Sequence, residues 1–219
     1  MRHPGSRGSA LLAVAAFVAM VLIGSIASQA QLGGLLGSTT TVTTSTTNLL
    51  GSVLTTTVLA GTGPLIAGTI DEREASALDG NIPPLLTGEA LHAVTIGWSD
   101  QIASEASLAA LDLDVAGLSI GADFVMARAL AVFGYAGVGT STIENLSING
   151  LPVWVSGGRN QTIGVPGGVV VLNEQRVLSD GTTVVNALHA TVYGVADVVV
   201  ASARAGVQGG EAKAVQASH

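Results

Sequence analysis

Two histidines sit in matching frames, His92 within "EALHAVT" (Glu89 to Thr95) and His189 within "NALHATV" (Asn186 to Val192). Imidazole is the side chain that titrates nearest neutral pH and the commonest metal ligand, so a repeated frame raises the question of a shared proton-transfer or metal site. A bound metal needs three or four ligands, and the other histidines are His3 and His219 at the two ends of the chain. Carboxylates such as Asp112 or Glu174 would have to complete the set, and no spacing requires them to. The expectation is therefore no metal and no cofactor, with both histidines half-buried on strands in comparable settings. Burial disfavours the protonated ring, so their pKa values are expected to be lowered.

A second candidate chemistry is nucleophilic. Gly117-Leu118-Ser119-Ile120-Gly121 matches G-x-S-x-G, the strand-to-helix turn that exposes a serine nucleophile in α/β hydrolases, and Asp180 and His189 follow in the order such a triad uses. The surroundings do not fit. Alternating strand and helix units are missing, as is a Gly-rich oxyanion segment upstream, although "ADFVMARALAVF" after the motif could form the following helix by propensity. Ser119 is read as a turn residue, no catalytic residue is assigned, and a serine hydrolase is the last of the functional readings. Asp112, Asp114 and Asp123 lack the looped spacing of a calcium site. Trp98 and Trp154 are too few for a sugar-stacking shelf.

The elements that must position these residues are strands. Leu91, Ala93 and Thr95 alternate with His92, Val94 and Ile96, and in "LAALDLDV" Leu111, Leu113 and Val115 face opposite to Asp112 and Asp114. Comparable runs occupy Ile143 to Ile148, Val169 to Leu172, Thr182 to Val192 and Ala196 to Val207. Asn149-Gly150, Gly157-Gly158, Gly167-Gly168 and Asp180-Gly181 punctuate them with the residues that hairpin turns favour. An all-β antiparallel sandwich or jelly roll is predicted. "VAGLSIGADFV" and "IENLSINGLPV" share a frame, which keeps a parallel β-helix as the alternative.

The remainder of the 219 residues organises around that domain. A basic start (Arg2, His3, Arg7), an apolar run from Ala10 to Ile23 and Ser28-Gln29-Ala30 predict a signal peptide over 1–30, cleaved after Ala30. The run is too short for a spanning helix, so the mature form is not expected to span a membrane. Residues 31–63 are Gly, Ser and Thr-rich and predict a flexible stalk, with an extended strand as the other reading of its threonines. Residues 64–86 are a linker whose "DEREASALD" (Asp71 to Asp79) predicts a short charged turn or helix broken at Pro83-Pro84. The β-rich domain spans 87–208, and 209–219 is a disordered tail. Losing Arg2 and Arg7 leaves six of eight basic residues against fifteen acidic ones. These six are scattered singly, which argues against nucleic acid and against an anionic membrane surface. Without cysteine there is no disulfide framework and no thiolate chemistry.

The order "GLSIGADFVMARA", "STIENLSINGLPV", "NQTIGVPGGVVVLNEQ", "VNALHATV", "ADVVVASARAGV" resembles the secreted actinobacterial choice-of-anchor P family. The resemblance implies an exported β-rich domain and carries no activity or functional residue. The tail "EAKAVQASH" has no sorting motif, which favours release over anchoring. Together these features predict a non-catalytic, secreted cell-envelope or extracellular matrix protein. Its expected partners are other envelope or matrix proteins or surface polysaccharide. A ligand-binding module for carbohydrate or ice is the alternative.

Overall fold

The computed structural model describes residues 39–48, 51–63, 65 and 70–206, and gives the backbone alone for 39–48 and 51–57. The expected signal peptide and the tail at 209–219 lie outside the described residues. Thirteen strands are present and no helix among the described residues. They are β1 (Thr39–Asn48), β2 (Gly51–Gly61), β3 (Asp71–Ile82), β4 (Leu86–Gly97), β5 (Gln101–Val115), β6 (Leu118–Val132), β7 (Val138–Glu144), β8 (Ser147–Ile148), β9 (Leu151–Pro152), β10 (Gln161–Val165), β11 (Gly168–Val177), β12 (Thr183–Val192) and β13 (Ala196–Ala205).

The described residues are all-β, as their period-two pattern implies, and fold into two antiparallel sheets. One runs β10-β11-β12-β13-β1-β2; the other runs β3-β4-β5-β6-β8-β9, with β7 also pairing β6. Each sheet is built mainly from sequential hairpins, and the chain crosses between sheets after β2 and after β9. Every pairing among the described strands is antiparallel, an arrangement that a parallel β-helix does not produce. One core joins the sheets. It is made of small and branched side chains such as Ala106, Ile120, Val125, Leu172, Leu188 and Val200.

Two predicted segments take a different form. Asp71 to Asp79 is not a helix or turn but most of β3, paired along its length with β4 from Asp71↔Gly97 to Ile82↔Leu86. Its charges fit a sheet edge, where they discourage pairing with another chain. Much of the Thr-rich 31–63, predicted as a stalk, is placed as β1 and β2, the extended reading of those threonines. Thr43↔Val199 to Thr46↔Ala196 attach β1 to β13, so the backbone polar groups of a Thr-rich chain are satisfied by a ladder.

Within long strands, single left-handed residues reverse which face is buried. In β5, Ile102, Ser104, Ala106 and Leu108 are buried before Ala110 (φ 48°), and Leu111, Leu113 and Val115 after it. β4 makes the same change at Ala90 (φ 47°), and β13 at Ala201 (φ 53°). In β11 the residue is Asn173 (φ 50°), a type that tolerates this conformation better than Ala. Each alanine costs about 1–2 kcal/mol in this geometry, offset by burial of apolar side chains on both sides of the switch.

Candidate functional site

Leu188, Ala190 and Val192 of β12 lie in the core, so the alternating His189 and Thr191 stand on the outer face of their sheet. The β12–β13 register sets Thr191 opposite Asp197 and His189 opposite Val199. The left-handed turn of the backbone at Asn173 brings Glu174 of β11 to the same outer face, opposite Asn186. Three strands thereby deliver one cluster. His189 Nδ1 lies 3.0 Å from Glu174 Oε2, and His189 Nε2 lies 2.5 Å from Asp197 Oδ1. The Thr191 hydroxyl donates to Asp197 Oδ1 at 2.8 Å, and Asn186 Nδ2 donates to Glu174 Oε2 at 2.5 Å. Ser202 in β13 donates to Asn186 Oδ1 at 2.7 Å and fixes that amide in turn.

The electrostatics follow from this geometry. The hydrogen bond from His189 holds the Glu174 carboxyl down at about 2, against the opposing effect of burial and with help from the Asn186 amide. His189 is pushed above its ordinary value of 6.5, first by its bond to Glu174, with Asp197 adding to it and burial working the other way. The expected lowering by burial is thus reversed. Burial is real, with 20% of the His189 side chain exposed, but two carboxylates on the two ring nitrogens outweigh it. Both nitrogens face carboxylates, so neither stands open to a substrate or a metal. What the arrangement does is tie β11, β12 and β13 together by a ring held between two carboxylates, an arrangement that favours its protonated form.

His92 sits in β4, in the other sheet, so the two histidines are not halves of one site. Its Nδ1 is 3.6 Å from Glu74 Oε1, and the pair is more exposed than the His189 pairs. Of the carboxylates named from the sequence, Glu174 does join a histidine and Asp112 does not: it stays exposed in β5, opposite Gly121. Asp197 is the residue that sequence reasoning missed. The signal was present, because a tight turn between Val192 and Ala196 sets Thr191 opposite Asp197, one diagonal step from His189.

No family model, curated protein or solved structure matches this chain. Its own geometry therefore carries the functional argument.

Ser119 lies near the start of β6, after a hairpin turn at Ala116 and Gly117 (φ 49° and 83°), and its backbone N–H donates to Asn149 Oδ1 at 2.9 Å. The segment after it is strand β6 and not the helix that a nucleophile elbow needs. Asp180 accepts from the Thr182 N–H in a turn and is not a partner of His189. Asp114 pairs across the hairpin with Ser119, and Asp123 accepts from Asn145 Nδ2 at 2.6 Å. Among the described residues, no group of three or more His, Asp or Glu is arranged to hold a metal ion.

Two surface features have a different character. The outer face of β4–β7 carries an apolar trough of about 340 Å³, lined by Val94, Ile96, Ala103, Leu130 and Val138 and crossed by the Arg128–Glu105 ion pair at 2.5 Å. Trp154 is 82% exposed on a loop pinned by its neighbours. There Gln161 accepts from Ser156 and donates to the Trp154 carbonyl, each at 2.7 Å, and Asn173 donates to the Gly157 carbonyl at 3.1 Å.

Proposed function

We propose that this chain is a non-catalytic, secreted cell-envelope or extracellular matrix protein that acts by presenting a β-sandwich domain. The observation that carries the reading is the saturation of His189. The best-developed cluster of titratable side chains spends all its hydrogen-bonding capacity internally, as a structural lock does and a general base does not. Export rests on the amino-terminal pattern and on the resemblance to the choice-of-anchor P proteins, whose shared expectation is an exported β-rich domain. Amino-terminal sequencing of the released protein should read from Gln31, and a fluorophosphonate probe should leave the protein unlabelled. Intact Met1 in a membrane pellet would remove the export half of the proposal, and labelling lost in Ser119→Ala would remove the non-catalytic half.

A second reading, a carbohydrate-binding module, is favoured by the exposure of Trp154 on its pinned loop. Indole faces stack on sugar rings, and an ordered loop lowers the entropy cost of presenting one. Retention on insoluble polysaccharide that disappears in Trp154→Ala would support it. The ice-binding version draws on the β1–β2 register, which pairs Thr43 with Thr56 and Thr44 with Thr55, and predicts measurable thermal hysteresis.

A further inference from the structure

We infer that Arg176 and Arg204 form a binding site for an oxyanion, a carboxylate, sulfate or phosphate group, on the outer face of the β11–β13 sheet. The register places Arg176 and Arg204 on either side of Val184 in one row across three strands. Strand spacing puts their Cα atoms roughly 10 Å apart, within reach of two long side chains converging on one group. Val184 is 1% exposed between them, and Val185 next to it turns inward against Gly139 of the other sheet.

Within that row Arg204 is the uncompensated member. Arg204 is largely buried, and its Nε is enclosed with no hydrogen-bond partner. A buried charged group without partners is rare and costly. Here the charge that bears on it is a like one, since Arg176 adds to the lowering of the Arg204 pKa that burial begins. Glu174, two residues from Arg176, is the neighbouring anion, but its Oε2 is already taken by His189 and Asn186. An acidic chain that retains only six basic residues after loss of its head would place two of them together, one enclosed, at an energetic penalty that a bound anion removes. Paired planar forks match the oxygens of a carboxylate, sulfate or phosphate, whereas a neutral or cationic ligand would leave the penalty in place.

The mature chain, melted in chloride buffer with sulfate added at matched ionic strength, tests the site. Sulfate should raise Tm with the logarithm of its concentration above Kd, by about 5–10 °C at a hundredfold excess over its Kd. Arg176→Gln and Arg204→Met should each abolish the rise. Arg204→Met keeps the apolar stem and removes the unpaired charge, so in chloride alone it should melt at or above the wild type. A galacturonate oligomer set against a galactose oligomer identifies the source. Stronger binding of the charged oligomer than of sulfate points to an acidic polysaccharide, and the reverse order to a free inorganic anion; both keep the site. Absence of any sulfate-specific rise overturns the proposal, as does Arg204→Met melting below the wild type in chloride.

Discussion

His92 and His189 share a four-residue frame and the same place in a strand, but the strands beside them differ. On one side of His189, Asp197 stands a diagonal step away in β13 and closes on Nε2; on the other, Glu174 reaches Nδ1 from β11. Around His92 the corresponding diagonals hold Glu74 in the edge strand β3 and Glu105 in β5. Glu74 stands off at 3.6 Å, and Glu105 is engaged by Arg128 from the next strand at 2.5 Å. The difference teaches that a local frame places a histidine, while the register of its neighbours decides what that histidine does.

The largest expected effect comes from removing the central ring of the tighter cluster. His189→Gln leaves Glu174 and Asp197 partly buried without their cation and should cost about 2 kcal/mol, or roughly 4–8 °C in Tm. His92→Gln should stay within about 0.5 kcal/mol, as exposed ion pairs do. Equal losses in calorimetry of the two variants would break the comparison.

Coupling energies sharpen it. A double-mutant cycle over His189→Gln and Glu174→Gln should give an interaction of about 1 kcal/mol or more, and the cycle over His92→Gln and Glu74→Gln a few tenths at most. Denaturant melts with a constant m-value provide the readout.

The pH dependence separates the two regions further. His189 is raised in the folded state, so its contribution is complete below the ordinary value of 6.5 and fades as pH rises through the folded value. Glu174 is lowered, so its contribution is complete above 4.5 and is lost as pH falls toward about 2. Both are present together between about 4.5 and 6.5, where stability should peak. His189→Gln should flatten that peak, and a wild-type maximum above neutral pH would contradict it.

The smallest effect concerns the ion pair beside His92. A double-mutant cycle over Arg128→Gln and Glu105→Gln should give about 0.2–0.5 kcal/mol, as cross-strand pairs with an exposed partner do. A coupling as large as that of His189 with Glu174 would erase the difference between the two regions.

How far this could be seen in the sequence depends on the distance over which the information acts. The strand character of "LAALDLDV" and of Thr183–Val192 was legible because period two is local, and the turns at Asn149-Gly150 and Asp180-Gly181 because left-handed positions favour Asn and Gly. The reversals at Ala90, Ala110 and Ala201 were not, since alanine gives no warning of a left-handed conformation imposed by packing on both faces. The charged "DEREASALD" resembled a solvated helix because an edge strand can be polar on both sides. The site was half legible. Glu174 stood out only as one of two carboxylates that could complete a metal set, and its pairing with His189, like the sign of the His189 shift, depended on two cross-strand carboxylates arriving together, which is a property of register between β11, β12 and β13.

The most direct measurement is an NMR titration of the His189 ring, with His189→Gln used to assign the resonance. The lock between two carboxylates predicts a midpoint above 6.5 that falls when Glu174 is replaced by Gln. A midpoint at or below 6.5, unmoved by Glu174→Gln, would show that burial governs His189 and that the cluster does not tie the three strands together.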